Sequence, residues 1–142
     1  MRIKVINPNT TQSMTDKIGA CARAAARPGT EVIAVSPSMG PASIESHYDE
    51  ALNVPGLLAE IAAGEAQGID GYVIACFGDP GLKAARELAG APVVGIAEAA
   101  MPPTETADAL RKLRREICVI VVSPFLKLVG SCSSMASALA RA

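Results

Sequence analysis

Residues 71–76, Gly-Tyr-Val-Ile-Ala-Cys, carry no charged side chain at any position. A strand that is apolar on both faces needs cover on both sides, a condition met almost only in a parallel sheet sandwiched between helices. The chain around it repeats the theme. Residues 2–6, 31–35 and 92–96 read as further strands, and the stretches between them have helical character. Strand, helix, strand, helix, strand, helix, strand predicts an α/β fold with a doubly wound parallel sheet.

Local signals place the boundaries. The first strand alternates polar and apolar side chains (Arg2-Ile-Lys-Val-Ile6) and runs into Asn7-Pro8-Asn9-Thr10-Thr11, where Thr10 or Thr11 can cap a helix reaching about Ala26. Residues 36–48 contain Pro37, Gly40 and Pro41 and read as a loop. A second helix is expected over residues 49–67, with Pro55-Gly56 as a kink or break. Asp79-Pro80 reads as a cap and first-turn proline for a third helix running to Leu88. From Met101 the texture changes. Pro102-Pro103 is followed by a charged helical stretch (104–115), an apolar run (117–122) and a Ser- and Ala-rich end (132–141). The expected organisation is a lobe over residues 1–101 and a divergent tail over 102–142. With only 3% aromatic residues, the core must be built from Ala, Val, Ile and Leu, which permits helices to lie close on a sheet.

Charge and cysteine usage narrow the function classes. A net charge of −1 supplies no field to hold nucleic acid or an anionic membrane. The basic run Arg111-Lys112-Leu113-Arg114-Arg115 reads as a solvated helix face. The longest apolar run, 117–122, is far short of the ~20 residues that span a bilayer. The first residues open directly on a strand pattern, which leaves no room for a signal peptide. Cys21, Cys76, Cys118 and Cys132 lie far apart and there is one histidine, His47, so neither a zinc site nor any other metal is expected. The expected compartment is the reducing cytoplasm, with free thiols.

In an open α/β sheet, ligands sit outside the carboxyl ends of the strands. Three polar segments fall there: residues 7–11, residues 36–45, and Cys76-Phe77-Gly78-Asp79-Pro80-Gly81. Cys76 stands ahead of an expected helix N-terminus, where backbone N–H groups stabilise a thiolate. The competing reading is a small buried hydrophobe. Gly78 and Gly81 let backbone approach a ligand closely. The 7–11 segment reads equally as an ordinary Asx turn, and residues 40–45 as surface loop. His47 is expected to be exposed and is not counted as a general base. Cys21, in mid-helix among alanines, is assigned to packing.

Together these segments resemble the Asp/Glu/hydantoin racemase superfamily, and its hydantoin racemase branch in particular. Asn7-Pro8-Asn9-Thr10 is similar to that branch's N-terminal motif, and Gly40-Pro41-Ala42-Ser43-Ile44-Glu45 to its substrate loop. The stretch from Ala75 to Leu82, with Ala85-Arg86-Glu87 beyond, resembles its first catalytic cysteine segment. Val94-Gly95-Ile96-Ala97-Glu98-Ala99 resembles the strand end that closes the first lobe. The resemblance covers about residues 1–101. It implies a flavodoxin-like single lobe of a normally two-lobed fold. It also implies an isomerase that needs no cofactor, acts on a small-molecule substrate such as a 5-substituted hydantoin, and inverts a stereocentre with two cysteines on opposite faces. Cys76 is then one acid/base thiol. Asn7, Asn9, Thr10, Ser43, Ile44, Phe77, Gly78 and Asp79 are the implied substrate-binding residues.

The second cysteine of such enzymes stands in a second lobe. Residues 128–136, Leu-Val-Gly-Ser-Cys-Ser-Ser-Met-Ala, are weakly similar to that segment and make Cys132 the candidate, with its register off by one residue. The abrupt change at Met101 is also what a truncated or frame-shifted coding sequence produces. Two alternatives therefore stand beside the racemase: a decarboxylase of malonate-type acids that needs one cysteine, and a non-catalytic half-enzyme. A lobe left uncovered has reason to pair, so a homo-oligomer is an expected state.

Overall fold

The computed structural model describes residues 1–100. The expected elements at 104–115, 117–122 and 132–141, together with Cys118 and Cys132, lie outside the described residues. Four strands form one sheet: β1 (Arg2–Ile6), β2 (Glu31–Val35), β3 (Gly71–Ile74) and β4 (Val93–Gly95). Their order is β2-β1-β3-β4 and every pairing is parallel. Four helices connect and flank them: α1 (Gln12–Ala25), α2 (His47–Glu65), α3 (Leu82–Leu88) and α4 (Ile96–Ala100).

Strand periodicity divides the core into two layers. Ile3, Val5, Val73 and Val94 face one way and pack with Ala22 of α1 and with Ile96 and Ala99 of α4. Ile6, Tyr72, Ile74 and Val93 face the other way, under Leu57 and Ile61 of α2 and Ala85 of α3. Helices thus cover both faces, as the apolar 71–76 segment requires. β1 alternates in sequence, yet it too is buried on both faces. Its Lys4 is 2% exposed and its Nζ lies 2.9 Å from Glu60 Oε2 and 2.7 Å from the Glu60 carbonyl oxygen. The charge is tolerated at the sheet centre because α2 brings both acceptors to it.

The helix boundaries differ from expectation in instructive ways. α2 begins at His47, two residues early, because Ser46 and Asp49 form a reciprocal capping box. It also runs through Pro55 without breaking. One lost backbone bond costs about 3 kcal/mol, and burying Leu57 and Ile61 beyond it returns about 1.5–3 kcal/mol each. Asp79-Pro80 does not cap α3. That helix starts at Leu82 behind Gly81, whose φ of 69° is left-handed. Ile96, expected to end β4, instead opens α4, an unexpected helix that is described as far as Ala100.

α2 lies close enough to β3 that a Cβ at Gly64 would stand 2.6 Å from both Cε1 and the hydroxyl oxygen of Tyr72. The buried Tyr72 hydroxyl donates to Glu65 Oε1 at 2.7 Å, and Glu65 Oε2 accepts from the Gly90 N–H at 2.9 Å. The Tyr72 bond, then the Gly90 bond, hold the Glu65 carboxyl below its ordinary value of 4.5. Burial, then the Glu65 carboxylate, push the Tyr72 hydroxyl upward.

Two outcomes are expected. Gly64→Ala should lower the melting temperature, reflecting a loss of about 1–3 kcal/mol from overpacking, although helix propensity alone favours Ala by about 1 kcal/mol. A raised melting temperature would contradict the close approach. Because the Glu65 carboxyl is lowered in the folded state, its contribution is full above the unfolded value of 4.5 and is lost as pH falls through the folded value. The stability gap between the parent and Glu65→Gln, read by urea melts, should therefore be widest near neutrality and close in acid. A pH-independent gap would count against the pairing.

Candidate active site

In the order β2-β1-β3-β4, the connections leaving β1 and β3 pass to opposite faces of the sheet. α1 covers the Ile3/Val5 side and α3 the Ile6/Ile74 side. The carboxyl ends of these neighbouring strands diverge there and leave a crevice, the position where ligands sit in open parallel sheets. A cavity of about 580 Å³ opens at this point. Its walls come from the 7–11 segment, from α1, from Ser43 and Ile44, and from Ala75, Cys76 and Phe77.

Each wall is held by identifiable bonds. The Asn7 N–H donates to the Val35 carbonyl at 2.9 Å, so the chain stays in the sheet for one residue past β1. The buried Asn7 side chain then ties the turn together. Its Nδ2 donates to Asn9 Oδ1 at 2.7 Å and to Thr15 Oγ1 at 3.0 Å. Asn9 Oδ1 also accepts from the Thr11 N–H at 3.0 Å. Thr11 occupies the N-cap position of α1, but its hydroxyl makes no cap bond and donates to the Ala42 carbonyl at 2.6 Å. The Thr10 N–H donates to the Pro41 carbonyl at 3.0 Å. The first loop therefore anchors the second and brings Ser43 and Ile44 to the cavity.

Cys76 lies two residues past β3. The Ala75 N–H still donates to Ile6 at 2.8 Å, after which the chain turns, with the Asp79 N–H bonding to the Cys76 carbonyl at 3.0 Å. The thiol is half-buried and free, and five residues separate it from α3. Phe77 is 57% exposed at the cavity rim.

The implied binding residues divide into groups. Asn7, Asn9, Ser43, Ile44 and Phe77 line the cavity with Cys76. The Asn7 amide is spent on internal bonds. Asn9 Nδ2 donates only to the Met14 sulfur at 3.4 Å, a weak acceptor, and so keeps donor capacity for a ligand. Thr10 is not on the cavity wall; it fastens the Pro41 loop. Gly78 and Asp79 border a separate hollow of about 620 Å³ shared with His47, Glu50 and Lys83. The Asp79 carboxylate accepts from the Ala97 N–H at 3.0 Å and the Glu98 N–H at 2.7 Å, and so caps α4. Burial, acting first, raises the Asp79 carboxyl above its ordinary value although these bonds oppose the rise. His47 is fully exposed, and its Nδ1 lies 2.9 Å from Glu50 Oε2.

Several wall residues were not read as site residues from the sequence, Cys21 having been assigned to packing. Ser13, Met14, Lys17, Ile18 and Cys21 present one flank of α1 to the cavity. Cys21 is half-buried there, on a cavity wall as well as in a packed helix. The signal was the helical spacing of Met14, Ile18 and Cys21, which continues the buried stripe of Thr15, Gly19 and Ala22. Among the described residues, no group of three or more His, Cys, Asp or Glu side chains could hold a metal ion.

Comparison with known proteins shows the family. The family model for Asp/Glu/Hydantoin racemase matches residues 3–123. A hydantoin racemase from Pseudomonas sp. (strain NS671) is 61% identical over 101 residues, covering 71% of this chain and 41% of that protein. A hydantoin racemase from Rhizobium meliloti is 50% identical over 124 residues, 87% of this chain and 49% of that one. Among solved structures, allantoin racemase from Klebsiella pneumoniae is similar at a TM-score of 0.69 with 65% identity, over 70% of this chain and 41% of that one. Allantoin racemase from Pseudomonas fluorescens gives 0.67 with 33% identity, over 92% and 56%. The chain spans 41% and 49% of the two curated relatives. On the family match and these identities, the chain belongs to the Asp/Glu/hydantoin racemase family.

Proposed function

We propose that this chain supplies the Cys76 half of a cofactor-independent racemase site for 5-substituted hydantoins. The observation that carries the reading is the placement of Cys76 on the wall of a cavity at the divergence of β1 and β3, facing the 7–11 turn and the Ser43-Ile44 loop. The relatives' names narrow the substrate. Allantoin is itself a hydantoin bearing a ureido group, so the shared chemistry is a hydantoin ring with a stereocentre beside a carbonyl.

In this reading the Cys76 thiolate removes the proton from that stereocentre, and the electron pair passes into the adjacent carbonyl as an enolate. A thiol on the opposite face returns a proton to the carbon, inverting it. The two sulfurs exchange protonation states, and turnover in the other direction restores them. In the same reading Asn9 Nδ2, whose one bond is to the weakly accepting Met14 sulfur, donates to a ring carbonyl, and the exposed Phe77 covers the ring's substituent. The candidate for the opposite thiol is Cys132, by its weak resemblance to the second cysteine segment; it lies outside the described residues. The wide spacing of the four cysteines in the sequence, with no C-x-x-C pair, supports a reducing, cytoplasmic setting. No helix among the described residues is long and apolar enough to cross a membrane.

The test incubates the purified chain with one enantiomer of 5-benzylhydantoin and follows optical rotation against an enzyme-free control. The expected result is loss of rotation faster than the control, reduced by about 10²-fold or more in Cys76→Ser. Equal rates in parent and variant would overturn the role of Cys76. A flat trace from folded parent protein would favour a non-catalytic half-enzyme.

A further inference from the structure

Asp79 is the one non-glycine among the described residues with a positive φ, 44°. Aspartate tolerates this region better than most side chains, at some cost in conformational energy. The conformation turns the side chain away from the Cys76 cavity and toward a segment eighteen residues further along the chain. There its two carboxylate oxygens take the Ala97 and Glu98 N–H groups, donors that the first turn of a helix leaves without an internal partner. The fit is close. A Cβ at Gly95 would stand 2.1 Å from Asp79 Cγ, so residue 95 must lack a side chain for the carboxylate to seat. The same corner is tied by Arg86, whose Nε donates to the Val93 carbonyl at 3.0 Å and whose guanidinium pairs with Glu98 at 2.8 Å. At its other end, Asp79 donates its own N–H to the Cys76 carbonyl at 3.0 Å.

We propose that Asp79 is a positioning residue for Cys76: it latches the turn that carries the thiol onto the β4–α4 corner. This rests on the reading of Cys76 as the reacting thiol, and it replaces direct substrate contact by Asp79, the role implied by resemblance. At the cysteine end of this turn Phe77 and Gly78 are exposed and Cys76 and Asp79 only half-buried, so few apolar contacts fix it. Two charge-assisted bonds to a neighbouring element supply what packing does not. The latch also couples the thiol's position to the segment through which the chain continues past Ala100. Gly95 belongs to the same device, since its missing side chain is the seat.

The experiment compares Asp79→Ala, Asp79→Asn and Gly95→Ala in the full chain. Iodoacetamide labelling of Cys76 is measured site by site by mass spectrometry, with Cys21 as the internal reference. This readout does not depend on any racemase activity. Loss of the latch should raise the Cys76-to-Cys21 labelling ratio by about tenfold, the order expected for losing a charge-assisted hydrogen bond. Gly95→Ala should reproduce Asp79→Ala without touching the carboxylate. Asp79→Asn, which keeps the backbone preference and one acceptor oxygen, should fall between Asp79→Ala and the parent even if Asp79→Ala folds poorly. Where the chain racemises a hydantoin, Asp79→Ala and Gly95→Ala should lower kcat by roughly 10²-fold with KM little changed, as for a misplaced reacting group. An unchanged labelling ratio in all three variants would overturn the latch, whatever the activity. A raised KM with unchanged kcat in Asp79→Ala alone would return Asp79 to substrate binding.

Discussion

The parallel pairing of β1 with β3 is the constraint from which the site follows. These strands are adjacent in the sheet but far apart in the chain, and their outgoing connections pass to opposite faces. No backbone can fill the gap between the diverging ends, so a crevice opens there as a consequence of topology. Both strands are buried on each side, so this part of the sheet is also the hardest to deform. A cysteine two residues past β3 is thereby carried to the crevice on a rigid support.

The loops around the crevice contain few apolar side chains to bury, and polar groups hold them instead. Asn7 is 1% exposed, and it acts as a bracket for the turn after β1. Thr10 and Thr11 pin the backbone of the next loop at Pro41 and Ala42. Asp79 performs the equivalent task for the cysteine turn, reaching α4. Each bond serves a local purpose, satisfying an otherwise unpaired group, and a distant one, setting the cavity's outline. Residues that resemble a substrate-binding set thus divide into those facing the cavity, such as Asn9, Ser43, Ile44 and Phe77, and those that hold the frame, such as Thr10 and Asp79, while Asn7 does both.

The strands and the cysteine turn were legible in the sequence because their signals are local. An apolar run, a Pro- or Gly-containing turn and a change of periodicity each lie within a few residues. What was misread depends on partners far along the chain. The alternation of the first strand carried no sign that Lys4 is buried, because its partner Glu60 is brought by α2 from 56 residues away. Asp79-Pro80 has the form of a local cap, yet its acceptor oxygens serve a helix eighteen residues on. Pro55 is a helix breaker by propensity, and the burial of Leu57 and Ile61 outweighs it. The Ser46–Asp49 capping box was a local signal. It was obscured by Pro37, Gly40 and Pro41, which extended the apparent loop past the true helix start.

The account rests on Cys76 taking a proton from a hydantoin carbon held in the crevice, a step that one lobe can perform before any opposite thiol is needed. The most direct measurement is hydrogen-for-deuterium exchange at the ring stereocentre of 5-benzylhydantoin in D2O, followed by proton NMR with an enzyme-free control. The account predicts that the folded chain accelerates exchange and that Cys76→Ser returns it to the control rate. Exchange no faster than the control, from protein shown to be folded, would contradict it.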